Sequence, residues 1–386
     1  MTTSAAIPNT SGVNPLKRLL EYGQSPWMDY IRRDLLTGGG LKKMIDSDGL
    51  RGMTSNPTIF EKAIDGSSLY NDILQSQEAK SLSPERLFER IAIRDVQDAC
   101  DIFKPVYQAT RRRDGYVSLE VSPLLANDTQ GTLDEARCLW KAVGRENLMI
   151  KVPGTAAGVP AVRQLLEEGL NINITLLFAQ SAYEQVAEAF SAALEARVLK
   201  GLDISHCASV ASFFVSRIDT LVDSKIEEKL KTASTAERVL LSSLEGKIAI
   251  ANARLTYKKY QELVGTPRWK ALAAKGAQSQ RLLWASTSTK NPKYRDVLYV
   301  EELIGADTVD TIPPATFDAF RDHGKLRRSL TEDVSGAAKT MADLEKAGIS
   351  MREVTDKLVV DGVKLFADAF ETLLEATGKS AAVRSQ

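Results

Sequence analysis

Eight short runs of strand-forming residues recur along the chain, each separated from the next by a longer stretch with helical spacing. They are Ser25–Ile31, Gly49–Ser55, Tyr116–Ser122, Leu148–Val152, Asn171–Leu177, Ser209–Ser216, Arg281–Thr287 and Thr308–Ile312. Segments between them, such as Thr132–Val143, Gly158–Glu168 and Ala179–Val198, repeat apolar residues at a period near 3.6. Strands that alternate with helices build βαβ units and a parallel sheet. Eight of them predict an α/β fold closed into a (β/α)8 TIM barrel, a unit that commonly exceeds the roughly 150 residues of an average domain. A doubly wound sheet is the alternative at this length, but no GxGxxG follows the first run.

The organisation around the barrel reads as follows. Residues 1–13 are polar and form a flexible tail. Residues 14–386 form a single barrel domain that includes C-terminal helices over 325–384, with the apolar pattern Leu358, Val359, Val363, Leu365, Phe366, Phe370, Leu373, Leu374. Two long insertions, 57–115 and 217–280, look helical and are expected outside the barrel.

Lys and Arg number 50, as do Asp and Glu. That balance argues against a nucleic-acid footprint but leaves room for a small local anion site. Three dispersed cysteines, Cys100, Cys138 and Cys207, and two histidines, His206 and His323, offer no metal-ligand spacing. Neither a signal-peptide core nor a run of ~20 apolar residues is present, so no membrane role and a cytoplasmic, reducing location are expected. The sequence is compatible with a monomer or a homodimer.

In such a barrel the chemistry gathers at the C-terminal ends of the strands. Seven polar residues lie late in otherwise apolar runs or just beyond them: Asp29, Asn56, Glu120, Lys151, Asn173, Thr175 and Ser212. Lys151, in LMIKVPG, is the most informative. Burial of an ammonium favours the neutral amine, the form that adds to a carbonyl and yields a Schiff base. The bland reading is a lysine that snorkels to solvent. Glu120, on the neighbouring strand, shifts the balance, because a carboxylic acid beside a Schiff-base lysine relays protons as the carbinolamine forms and dehydrates. Asp29 is a second carboxylate, able to take a hydroxyl proton during carbon–carbon cleavage, or a strand-end cap. Asn56 and Asn173 offer donors and acceptors to a polyhydroxylated substrate, although Asn56, before Pro57, is also a turn former. Thr175 and Ser212 suit a water or a substrate hydroxyl.

For an anion, the loops after the last strands are the place to look. Arg217 closes ASFFVSR, and Ser286–Pro292 (STSTKNP) adds hydroxyls and Lys290. A phosphate fork is one reading of Arg217, and a salt bridge with Asp219 or another rim carboxylate is the other. The basic run Arg111–Arg113 reads as a solvated helix end.

These residues, in this order, resemble the transaldolase family, from about Pro26 to His323. The specific stretches are GMTSNPTIF (52–60), SLEVSP (118–123), LMIKVPGT (148–155), NINITLLF (171–178) and ASFFVSRID (211–219), and the length and STSTKNP are similar to a longer bacterial subgroup. The resemblance implies a (β/α)8 barrel with Lys151 as the Schiff-base lysine. It implies Glu120 acting through a water held by Thr175, and Asp29 as the base at the C4 hydroxyl. Asn56, Asn173 and Ser212 would hold a dihydroxyacetone unit, and Arg217 and Ser286 a phosphate. Ser288 stands where shorter members carry an arginine, and Lys290 is the candidate replacement. The implied reaction moves dihydroxyacetone from sedoheptulose 7-phosphate to glyceraldehyde 3-phosphate, in the pentose phosphate pathway, with no metal or organic cofactor. Two rival readings are a class I aldolase that releases the unit to water and a non-catalytic sugar-phosphate-binding barrel.

Overall fold

Each expected run becomes a strand in the computed structural model, which describes residues 14–383. The strands are β1 (Gln24–Asp29), β2 (Gly52–Thr54), β3 (Tyr116–Glu120), β4 (Leu148–Pro153), β5 (Ile172–Leu177), β6 (Ser209–Phe214), β7 (Arg281–Ala285) and β8 (Thr308–Ile312). They pair in parallel in sequence order, and β8 closes onto β1. The fold is therefore the (β/α)8 barrel that the alternation predicts. The expected tail, residues 1–13, and the last expected helical residue, Arg384, lie outside the described residues.

The largest departure is at β2, which starts three residues later than expected. Gly49 caps the preceding helix, Gly40–Asp48, in the left-handed conformation at φ 70° and so cannot extend the strand. β2 also pairs with β3 through only two residue pairs, Gly52 with Tyr116 and Met53 with Val117. Gly52 is required by a close approach, since a Cβ there would sit 2.5 Å from the Trp27 ring. That ring and a buried polar cluster plug the N-terminal end of the barrel. Within the cluster, Arg281 donates to Ser25 Oγ at 2.8 Å and to Asp114 Oδ1 at 2.9 Å, and Trp27 Nε1 donates to the same carboxylate. With one end sealed, the open end is the C-terminal one, where the strand-end polar residues gather.

Both insertions are helical and lie outside the strands, as expected. The first contains helices Pro57–Ile64 and Pro84–Ala109, and the second contains Ser216–Leu230, Thr235–Leu244, Ile248–Val264 and Pro267–Ala273. Arg113 departs from the expected solvated helix end: it is partly buried and ion-pairs with Asp307 at 2.8 Å. The C-terminal helix, Met351–Val383, packs on helices Pro57–Ile64 and Pro84–Ala109. Its apolar stripe joins the core through Leu358, Phe366, Phe370 and Leu373. Phe370 meets Phe88 edge-on, with ring centroids 5.8 Å apart. This path carries the helix across the open end of the barrel.

Candidate active site

Inward and outward positions alternate along each strand, so a polar residue at an inward position near the strand end faces the cavity at the barrel mouth. Register places Glu120 beside Lys151 and Lys151 beside Asn173, across β3, β4 and β5. Lys151 is 5% exposed. Its Nζ donates to Glu120 Oε2 and to the carbonyl of Ser55, each at 3.1 Å. Glu120 Oε1 and Thr175 Oγ1 are buried and have no hydrogen-bond partner among the described residues. Two unpaired polar groups on β3 and β5, the strands that flank the one carrying Lys151, are what a bound water needs, and buried polar atoms are otherwise almost always paired.

Asp29 Oδ1 accepts from Thr54 Oγ1 at 2.7 Å. Burial raises the Asp29 carboxyl above its usual range, and Lys151 and the Thr54 hydrogen bond oppose that rise. Glu120 is also raised by burial, against the pull of Lys151. Both carboxyls are thus held nearer to proton exchange than exposed ones would be. Ser212 donates to Asn173 Oδ1 at 2.6 Å, while Asn173 Nδ2 donates to Ser118 Oγ at 3.0 Å. Asn173 therefore aims the Ser212 hydroxyl. Asn56 Oδ1 accepts from Ile59 N at 3.1 Å and caps helix Pro57–Ile64. The turn-forming role is real, and it leaves the amide nitrogen as the group that Asn56 can turn to a ligand.

A cavity of about 630 Å³ joins these groups. Asp29, Asn56, Lys151, Thr175, Ser212, Arg217, Ser286, Ser288 and Lys290 all line it. Glu120 and Asn173 sit just behind, each bonded to a residue that lines it. Arg217 makes no ion pair among the described residues, and burial disfavours its charged form. Asp219, offered as its partner in the bland reading, accepts instead from Ala249 N at 2.8 Å and Tyr299 OH at 2.9 Å. Ser286 is held at φ 57°, unusual for a residue with a side chain, and its hydroxyl lies 3.0 Å from that of Ser216. Lys290 Nζ donates to Ser288 Oγ at 2.7 Å. Arg32 and Lys62 also line the cavity, so four cationic residues border its mouth in a chain with no net charge.

A buried lysine paired with a carboxylate in a cation-rimmed barrel mouth agrees with the family suggested by the motifs, and direct comparison decides the point. The sequence profile described as Transaldolase/Fructose-6-phosphate aldolase matches residues 26–377. The chain belongs to this family. A protein named Transaldolase from Trichodesmium erythraeum is 46% identical over 366 residues, covering 94% of this chain and 96% of that relative. Transaldolase 2 of Nostoc punctiforme is 47% identical over 367 residues, with the same coverage of each chain. A transaldolase of Thiobacillus denitrificans is 44% identical over 366 residues, 95% of this chain and all of the relative. The match reaches 54 residues beyond the His323 limit of the motif resemblance, so the C-terminal helix belongs to the family's common length.

Within this transaldolase-family barrel, sequence reasoning missed four contributors. Thr54 ends the TSNP motif's strand and bonds Asp29. A threonine in a strand carries no distinguishing signal, because β-branched residues fill strands generally. Ser55 offers only its carbonyl to Lys151, a backbone contact invisible in side-chain chemistry. Arg32 and Lys62 look like ordinary surface cations until the fold turns them toward one opening. Among the described residues, no group of three His, Cys, Asp or Glu side chains is placed to hold a metal ion, and no helix is long and apolar enough to cross a membrane.

Proposed function

We propose that this enzyme of the transaldolase family transfers dihydroxyacetone from sedoheptulose 7-phosphate to glyceraldehyde 3-phosphate, giving erythrose 4-phosphate and fructose 6-phosphate. The observation that carries the reading is the buried Lys151 amine 3.1 Å from Glu120, inside a cavity whose mouth holds Arg217, which makes no ion pair among the described residues. Lys151 Nζ attacks the ketose C2 carbonyl. Glu120, with a water between its free oxygen and the Thr175 hydroxyl, moves the protons that turn carbinolamine into imine and back. Asp29 accepts the C4 hydroxyl proton as the C3–C4 bond breaks, and the electron pair of that bond passes into the imine as an enamine. The same Asp29 returns the proton to the oxygen of the incoming aldehyde.

Ser212, aimed by Asn173, and the Asn56 amide nitrogen hold the hydroxyls of the retained three-carbon unit. Arg217, Ser286 and Lys290 hold the phosphate, beside the opening turn of helix Ser216–Leu230, which no side chain caps. Lys290, bonded to Ser288, supplies the charge that an arginine at position 288 would give. We read residues 14–386 as one domain, since the C-terminal helix shares the barrel's core. We place the enzyme in the cytoplasm as a monomer or homodimer, a location supported by three unpaired cysteines.

Acceptor dependence tests the reaction. With fructose 6-phosphate as donor, product is expected only when erythrose 4-phosphate is added. Steady release of dihydroxyacetone without an acceptor would identify an aldolase instead, and saturable binding with no turnover would identify a binding barrel.

A further inference from the structure

The C-terminal helix adds to the site one side chain that the polar ring does not include. Phe366 lines the cavity and is 6% exposed. Its ring centroid lies 5.7 Å from Lys151 Nζ and 5.9 Å from Arg217 Cζ, so one ring spans the reactive amine and the anion-binding guanidinium. Phe214, by contrast, approaches Arg217 alone, at 5.6 Å.

The helix that carries this ring is seated on both sides of it. One turn earlier is Gly362, where a Cβ would come within 2.9 Å of Leu176 Cδ2, so the absent side chain lets the helix settle on the end of β5. Leu176 is itself held at φ 60°, at the irregularity in the β5–β6 pairing. One turn later, Phe370 is locked edge-on against Phe88. Gly362, Phe366 and Phe370 form an i, i+4, i+8 stripe, so the ring's position follows from a helix face fixed at both ends.

We infer that Phe366 is a specificity-determining residue that roofs the covalent intermediate and directs it toward aldehyde acceptors rather than water. The inference rests on the Schiff-base reading above. After cleavage the dihydroxyacetone unit is an enamine on Lys151. Transfer forms a bond from its C3 to the carbonyl carbon of an aldehyde. Loss to solvent consumes one water: a proton goes to C3, the hydroxyl adds to C2, and the C2–N bond breaks with its electron pair going to the lysine nitrogen, which takes up the C2 hydroxyl proton and leaves dihydroxyacetone as the ketone. An apolar ring over the cavity side of Lys151 hinders solvent from delivering the C3 proton before an aldehyde arrives. The water that hydrolyses the product imine works from the Glu120–Thr175 side, and an aldehyde phosphate enters on the Arg217 side.

The test measures two rates in wild type, Phe366→Leu and Phe366→Ala: transfer from fructose 6-phosphate to erythrose 4-phosphate, and acceptor-free release of dihydroxyacetone. The readout is the ratio of release to transfer, which does not depend on the fraction of folded enzyme. The ratio is expected to rise about tenfold in Phe366→Ala, and less in Phe366→Leu. A ratio unchanged in both variants overturns the inference. Borohydride trapping on the wild type separates the two levels: no lysine adduct would overturn the Schiff-base reading together with the roof, whereas a normal adduct with an unchanged ratio would overturn the roof alone.

Discussion

Arg217→Met removes a half-buried guanidinium while keeping an unbranched apolar stem between Phe214 and Phe366. Arg217 pairs with no carboxylate among the described residues, and burial already disfavours its charge. Its loss therefore orphans no partner, and the fold should hold or gain slightly. The energy should disappear from substrate binding. A bidentate phosphate contact comprises two charge-assisted hydrogen bonds of about 1.5–3 kcal/mol each. Arg217 is only half-buried and Lys290 remains nearby, so the lower end applies: about 3 kcal/mol, or roughly a hundredfold in kcat/KM. The assay compares fructose 6-phosphate with unphosphorylated fructose as donors, alongside thermal melts of both proteins. The loss should fall on the phosphorylated donor alone, with an unchanged melting temperature. A large drop in melting temperature, or equal losses on both donors, would show that Arg217 is structural and refute the anion-site assignment.

Three further outcomes are expected. Glu120→Gln keeps the side chain's volume but cannot shuttle protons, so kcat should fall about 10²- to 10⁴-fold with the fold intact; a near-normal rate would remove Glu120 from the proton path. Thr175→Val deletes a buried hydroxyl that has no partner among the described residues. Its stability should stay within ~1 kcal/mol of wild type while imine formation slows in rapid-quench experiments, and unchanged imine kinetics would count against the water site. Asp310, on β8, is buried with no well-formed hydrogen bond to either carboxylate oxygen among the described residues, and burial pushes its carboxyl up to about 8 against the weak pull of the Thr287 hydroxyl. A carboxyl raised in the folded state favours folding only while protonated, so its penalty grows from about pH 4 to about pH 8. Asp310→Asn should therefore match wild type in denaturant unfolding at pH 4 and exceed it by on the order of 4 kcal/mol at pH 7, and a pH-independent difference would contradict this.

Much of the barrel was legible because its strands are buried on both faces and read as apolar runs. A polar residue inside such a run, as Lys151 in LMIKV or Glu120 in YVSLE, stands out against that background. The same contrast exposed Asp29, Asn173, Thr175 and Ser212. What stayed hidden depends on three-dimensional placement. The Asn56 carbonyl is spent on a helix cap, and Asp219 faces Ala249 and Tyr299 rather than Arg217. Phe366 looks like any other apolar residue in a helical stripe, and only the path of the C-terminal helix across the mouth reveals what it covers. β2 was overestimated because a glycine that caps a helix cannot be told from one that opens a strand without the helix in view.

Lys151 is expected to form a covalent imine with the ketose, and borohydride reduction in the presence of fructose 6-phosphate would trap it. Peptide mass spectrometry should find a reduced three-carbon, dihydroxyacetone-derived adduct on Lys151 and none in Lys151→Ala. A folded, substrate-binding protein with no adduct on any lysine, or with the adduct on a different lysine, would rule out Lys151 as the Schiff-base residue.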